Sequence, residues 1–219
     1  MSRRVLVFGA SGHGKVVADV ARAAGLEVVG FVDDDERRRG ARLWELPVLG
    51  WDEAAGRHGG PGRAAVALGI GDNRARELVF DRVVSAGFEV VTAVHPSAVL
   101  APRARLGPGT VVMALAAVNP DAEVGVGAIL NTGCVVEHDC RVGRFAHLSP
   151  NSALGGGAEV GDRAHLGLGA VVLPLVRVGA DVRVGAGAVV HRPVEAGMTV
   201  VGVPARPVGP GGAEGGRLP

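Results

Sequence analysis

The sequence predicts a chain in two parts: a small parallel α/β unit over residues 1–92, then an all-β coil of six-residue repeats over 93–206, followed by a flexible tail at 207–219. Three observations carry this. The 219 residues include 36 Gly and are 47% hydrophobic, yet hold only five Phe, two Trp and no Tyr, so the interior must be filled by Val, Leu and Ala rather than by rings. Strand-like and helix-like segments alternate up to about residue 92. Beyond it, a strict period of six takes over.

The first part opens with a strand at Arg3 to Phe8, a glycine turn at Gly9-Ala10-Ser11-Gly12-His13-Gly14, and a helix from Lys15 to Ala24 stopped by Gly25. Leu26 to Val32 reads as a second strand, closed by Asp33, Asp34 and Asp35. A loop containing Trp44 and Trp51 follows, then a third strand at Ala64 to Leu68. A helix from Asn73, its cap, to Ala86 ends at Gly87, and Phe88 to Val91 is the fourth strand. Strand-helix alternation of this kind builds a parallel sheet with right-handed crossovers.

In the second part, stepping by six from Leu100 through Leu106, Val112 and onward to Val190 meets only Leu or Val. Two residues before almost every one stands a small residue, among them Ala116, Ala122, Ala128, Cys134, Cys140 and Ala146. Gly often follows the aliphatic residue, as at Gly107, Gly125 and Gly143, and is read as a corner with positive φ; Asn119 and Asn131 substitute for it. Each hexad is then a short strand and a turn, three hexads close one coil, and coils stack at roughly the 4.8 Å strand spacing. Residues eighteen apart in sequence therefore sit above one another.

Composition also excludes several classes. The apolar fraction is too high for disorder, and there is no Gly-X-Y period for a collagen helix. With 23 basic and 22 acidic side chains, the net charge of +1 is scattered and offers no basic face to nucleic acid. No apolar run reaches the roughly 18 residues of a membrane span, and Val5 to Phe8 is too short for a signal peptide, so a cytoplasmic protein without membrane partner is expected. Cys134 and Cys140 both fill the small-residue position, where packing accounts for them.

Two places suggest chemistry. The glycine turn and the helix N-terminus behind it present backbone N–H groups to an anion, and Asp33 and Asp34 stand where a ribose or base is read in such sheets. The spacing Gly9, Gly12, Gly14 is not G-x-G-x-x-G, which disfavours a nicotinamide cofactor. In the coil, His138 stands at a ladder position that carries Ala, Gly or Arg in several other hexads, with Asp139 beside it. A carboxylate next to an imidazole raises its basicity and orients it as a general base; an exposed turn histidine is the plain alternative. Gly156, eighteen residues on, places an N–H where a developing oxyanion can meet it. His147 and His165 should stack on one edge, and no third ligand has the spacing for a metal.

Val7 to Lys15 (VFGASGHGK), Phe31-Val-Asp-Asp34, Gly69-Ile-Gly-Asp-Asn73, His95-Pro-Ser-Ala98, Asn131 to Cys140 (NTGCVVEHDC) and Val201-Gly-Val-Pro-Ala205 together resemble the sialic acid O-acetyltransferase-like family of hexapeptide-repeat acyltransferases, in particular its nucleotide-sugar N-acetyltransferases of bacillosamine and perosamine pathways. The resemblance covers nearly all of residues 4–206. It implies a Rossmann-like nucleotide-sugar-binding domain, a left-handed parallel β-helix, a homotrimer, and acetyl-CoA as donor without a metal. It further implies that His138 is the general base with Asp139 as its basicity-raising partner, where some members carry Glu. His147, Gly156, Leu168 and Ala186 are implied along the CoA groove, and Ser11, Gly12, His13, Asp33 and Asp34, with Ile70 and Gly71 nearby, at the nucleotide-sugar. The implied reaction is acetyl transfer to the 4-amino group of a UDP- or GDP-linked amino-dideoxy sugar. Transfer to a sugar hydroxyl and a non-catalytic nucleotide-binding scaffold are the other readings, and the sequence does not fix the sugar or its base.

Overall fold

The computed structural model describes residues 2–58, 60 and 62–210. The chain divides into two compact units, Met1–Pro96 and Ser97–Pro219, a few residues beyond the boundary at 92 expected from sequence.

The first unit is a sheet of five strands, β1 (Arg4–Phe8), β2 (Glu27–Val32), β3 (Arg42–Leu43), β4 (Leu46–Leu49) and β5 (Ala65–Leu68), in the order β3-β4-β2-β1-β5. β4, β2, β1 and β5 run parallel, and β3 returns antiparallel on β4. Among the described residues, the α-helices α1 (Gly12–Ala23) and α2 (Trp51–Arg57) connect them, and α3 (Asn73–Ser85) follows β5. β1 is buried from Val5 to Phe8, and α1 lays Val17, Ala18, Val20 and Ala21 into the interior, the spacing of one helical face. Leu6, Phe8, Val32, Trp51, Val66 and Leu68 meet in the core, where Trp51 stacks on Phe8 at 5.7 Å and meets Phe88 edge-on at 5.0 Å.

Several sequence expectations change here. The stretch read as a loop contains the β3–β4 hairpin and α2. The hairpin turn needs φ > 0 at both central residues and takes it from Trp44 (φ 50°) and Glu45 (φ 64°) instead of the usual Asn-Gly, so the common signal is missing. Trp44 offsets that cost by meeting Phe31 edge-on at 6.4 Å under the Arg22 guanidinium. The cap of α3 is Asp72, whose side chain accepts from the Ala75 N–H, not Asn73, which lies inside the first turn and accepts from Arg76. The expected strand at Phe88 to Val91 is reduced to one bridge, Val66 opposite Val90, on the outer edge of β5.

The second unit is a left-handed parallel β-helix. Every strand through Val190 is two residues long, and each pairs in parallel with the strand eighteen residues away, as in Val118↔Val136, Val142↔Val160 and Leu148↔Leu166. The periodic aliphatic residues point inward, with Val112, Leu130, Val136, Leu148 and Leu166 all at 0% exposure. The outward residues differ by face. One face carries Val99, Ala117, Val135, Ala153, Val171 and Val189; another alternates Arg105, Glu123, Arg141, Glu159 and Arg177.

The corner geometry corrects the reading of the glycines. The residue with positive φ stands three places after the aliphatic one, from Gly109 (φ 72°) through Leu115, Asp121, Asp139 and Phe145 to Gly187 (φ 66°). The Gly directly after the aliphatic residue is required for contact instead: a Cβ on Gly125 would sit 2.7 Å from the backbone nitrogen of Arg144 in the next coil. After Val190 the period breaks, and Met198–Val201 and then Arg206–Pro210, the latter antiparallel, close the edge of one sheet. Residues 206–210 are thus a strand, not the start of a flexible tail, while 211–219 lie outside the described residues.

Candidate active site

His138 occupies a corner of the coil, between the strands Val135–Val136 and Arg141–Val142. Its Nδ1 lies 2.7 Å from Asp139 Oδ2, and both side chains are well exposed, at 62% and 67%. The short bond to the carboxylate, with the Asp139 and Glu137 charges, holds the imidazole above its ordinary pKa. It also assigns the Nδ1 proton to the Asp139 side and leaves Nε2 as the basic nitrogen.

Gly156 stands one coil above. A Cβ there would lie 2.6 Å from His138 Nε2, so the absent side chain is what makes room for the ring. The neighbouring backbone is committed: the Gly157 N–H donates to the His138 carbonyl at 2.9 Å and the Leu175 N–H to the Gly156 carbonyl at 3.0 Å. Among the described residues no acceptor is assigned to the Gly156 N–H. An imidazole nitrogen and an available amide donor at one corner are what an acyl transfer needs for base and oxyanion.

The implied CoA residues other than Gly156 lie elsewhere in the same unit. Leu168 and Ala186 are exposed and stack on one corner, tied by the Gly187 N–H to the Leu168 carbonyl at 2.8 Å. That corner and the His138 corner flank the face of Val135, Ala153 and Val171, so one chain does not bring them together. His147 is 8% exposed; its Nε2 lies 3.1 Å from Asn131 Nδ2 and its ring stacks on His165 at 4.6 Å, the stacking the eighteen-residue spacing anticipates.

In the first unit, Phe8, Ser11, Asp33, Asp34, Ile70 and Gly71 line a cleft of about 420 Å³ beside the β1–α1 turn. The turn is held by glycine contacts: a Cβ on Gly14 would lie 1.9 Å from the Gly9 carbonyl oxygen. Asp33 serves the turn rather than facing outward freely, for its two oxygens accept from Ala10 N–H at 2.8 Å and Asp35 N–H at 2.9 Å. Asp34 is paired with Arg82, whose Nη1 lies 3.0 Å from each carboxylate oxygen. Gly12 and His13 do not line the cleft; Gly12 is exposed, and His13 is largely buried, its pKa lowered to about 4 by burial and the nearby Arg76. Among the described residues, no cluster of three or more metal-binding side chains occurs, and no helix is long and apolar enough to cross a membrane.

Comparison with known proteins bears on both units. Residues 4–83 match the model of the PglD N-terminal domain. The UDP-N-acetylbacillosamine N-acetyltransferase of Bacillus subtilis is 33% identical over 125 residues, about half of either protein (51% of this chain and 52% of that one). The crystal structure of PerB from Caulobacter crescentus in complex with CoA and GDP-perosamine is 46% identical, covers 94% of this chain and 97% of its own, and superposes with a TM-score of 0.86. The chain belongs to the perosamine and bacillosamine N-acetyltransferase family. The acetyltransferase domain of PglB from Neisseria gonorrhoeae in complex with acetyl coenzyme A is similar too, at 36% identity over 95% of this chain and all of that one (100%), with a TM-score of 0.87.

For this N-acetyltransferase-family chain, sequence reasoning missed several residues of the cleft and one of the coil. Arg38 lines it and donates from Nη1 to the Ala10 carbonyl at 2.8 Å, but in the run Arg37-Arg38-Arg39 nothing distinguishes it. Asp72 lines it as the α3 cap, one residue before Asn73, which is also a favoured cap residue. Cys140, read only as filler, donates its thiol to the Gly155 carbonyl.

Proposed function

We propose that the protein transfers the acetyl group of acetyl-CoA to the 4-amino group of a nucleotide-linked amino-dideoxy sugar, with His138 as general base. The observation that carries this is the His138 corner: an imidazole raised in basicity by Asp139 at 2.7 Å, packed against a glycine whose missing side chain admits the ring. Family membership supports the donor and the acceptor class. His138 Nε2 takes a proton from the amine as its nitrogen forms the C–N bond to the thioester carbon, and Asp139 stabilises the imidazolium. The carbonyl oxygen becomes an oxyanion and accepts from the Gly156 N–H. Collapse breaks the C–S bond, and the imidazolium returns its proton to the departing CoA thiolate.

The first unit is assigned nucleotide recognition, through the N–H groups of the β1–α1 turn and the cleft lined by Ser11, Ile70 and Gly71. GDP-perosamine, bound by the similar Caulobacter protein, is the acceptor to try first. Homotrimer formation is supported by the face of Val and Ala residues between the His138 corner and the Leu168–Ala186 corner, which a second copy would cover while bringing its own corner to the first. Such an arrangement would complete a CoA groove that one chain only halves.

The test is a CoA-release assay with acetyl-CoA and a panel of GDP- and UDP-linked 4-amino sugars, set against the same sugars bearing a 4-hydroxyl. Release only with the amines is expected. Selective turnover of a hydroxyl acceptor overturns N-acetylation, and silence across the panel overturns the enzyme reading.

A further inference from the structure

We propose that Cys140 is a positioning residue of this reaction: its thiol, donating to the Gly155 carbonyl, fixes the peptide whose N–H belongs to Gly156. The role rests on the function proposed above and goes beyond the residues assigned there. Cys140 Sγ lies 3.2 Å from the Gly155 oxygen, reaching from one coil to the next. The same oxygen accepts from the Ala158 N–H at 3.0 Å, so it is held from two directions.

The Gly155 carbonyl and the Gly156 N–H are the two ends of one peptide group. Because that group is planar and trans, its C=O and N–H point in opposite directions. Drawing the oxygen toward the coil interior, where Cys140 is fully buried, turns the hydrogen outward to the corner where His138 lies. Gly155 and Gly156 carry no side chain that would otherwise hold this plane, and glycine has the widest choice of backbone conformations. Donation to the oxygen also polarises the peptide and strengthens its N–H as a donor to an oxyanion.

The thiol is suited to this. Burial pushes its pKa up, so it stays protonated and keeps its single donor. The fold offers a partial parallel elsewhere: Thr110, at the same position of its hexad, donates from Oγ1 to the Gly107 carbonyl at 2.7 Å and has the Gly125 carbonyl, also fifteen residues on, within reach at 3.2 Å. Most other hexads place Ala at this position, including Ala122, Ala146 and Ala158, and have no such donor. Below the amide facing His138, the coil has one.

A near-isosteric pair of variants separates donation from packing. Val occupies this position in the fold at Val176 and Val182, and Thr at Thr110, so both Cys140→Val and Cys140→Thr fit the coil. Measured on the full-length enzyme with acetyl-CoA and an acceptor that wild type acetylates, C140V should lose about threefold to tenfold in kcat, with KM for both substrates within about twofold. C140T should restore kcat to within about twofold of wild type, because its hydroxyl donates where Val cannot. The midpoint of the acid limb of the pH profile should be the same in all three proteins, since the His138–Asp139 pair is untouched. Equal kcat in C140V and C140T overturns the role of Cys140, and so does a loss in C140V confined to KM. If wild type releases no CoA with any acceptor, the function proposed above and this role fall together; if it is active, failure of the Val/Thr contrast falls on Cys140 alone.

Discussion

Asp139 reaches His138 Nδ1, at 2.7 Å, from a backbone with φ of 60°, a conformation that a side chain with a Cβ rarely adopts. The hexad period places a positive-φ residue here in every repeat from Gly109 to Gly187, with Gly133 before it and Gly157 at the same corner one coil on. In this hexad the corner carries a carboxylate, and the local hydrogen bond to the imidazole belongs to the same turn that presents the base.

That relationship predicts a pH shift. The Asp139 hydrogen bond and charge raise the His138 pKa above its ordinary 6.5, and the base acts only when unprotonated. The acid limb of kcat/KM in wild type should therefore have its midpoint above 6.5. In Asp139→Asn the carboxylate charge is gone while the shape is kept, so the midpoint should move to lower pH. The plateau rate should fall by about tenfold or more, as the weaker base is also less well oriented. An unmoved midpoint in the Asn variant would show that Asp139 does not set the basicity.

Gly156→Ala separates room for the base from backbone tolerance. Gly156 does not have positive φ, so Ala suits its backbone, and loss of unfolded-state freedom stabilises by about 0.4–1 kcal/mol where the substitution fits. The added Cβ, however, would lie 2.6 Å from His138 Nε2 and must push the ring away. Activity should drop by roughly a hundredfold or more, while the thermal midpoint changes by only a few degrees. Retention of more than a tenth of wild-type kcat would argue against a base at this corner.

His13 gives a stability prediction of the same sign as the usual acid response of a carboxylate, and opposite to that of a histidine that gains a partner for its charged form. Its folded pKa of about 4 lies below the ordinary 6.5 because burial, and then Arg76, disfavour the imidazolium. The unfolded chain thus binds the proton first on acidification. The stability contributed by the neutral ring is whole above pH 6.5 and is lost as pH falls toward 4, up to on the order of 3 kcal/mol. Thermal midpoints recorded across this window should fall more steeply for wild type than for His13→Gln. Parallel curves would remove His13 from the acid sensitivity of the fold.

The coil was legible because one physical demand recurs: an inward aliphatic residue and a small one in each hexad, repeated from Leu106 to Val190. What periodicity could not separate was why glycine recurs. Gly125 answers to the backbone of the next coil and Gly127 to its own φ of 62°, yet both are simply glycine in a sequence. His138 stood out as an imidazole beside a carboxylate, and Gly156 followed from the coil length. The first unit resisted for the opposite reason. Its Trp44–Glu45 turn is held by contacts of Trp44 with Phe31 and Arg22, and the commitment of Asp33 to Ala10 and Asp35 is set by tertiary approach that no local pattern announces. Cys140 was hidden because a small residue at its position needs no further explanation until the thiol is seen against the Gly155 oxygen.

The two units should respond separately to a change in the nucleotide turn. Gly14 lies in the first turn of α1, where Ala is a better helix former, but its Cβ would meet the Gly9 carbonyl oxygen at 1.9 Å, a distance no rotamer relieves. Gly9 cannot retreat, because its own Cα faces the Gly69 carbonyl of the neighbouring strand end, where even an added methyl would lie at 2.4 Å. Gly14→Ala must therefore open the β1–α1 turn and misalign the N–H groups that would bind the diphosphate. Calorimetric titration should show GDP binding weakened by about thirtyfold or more, with acetyl-CoA binding within about twofold of wild type. GDP affinity unchanged to within about threefold would place the nucleotide elsewhere than this turn, and a parallel loss of acetyl-CoA binding would show that the substitution unfolds more than the turn it was meant to open.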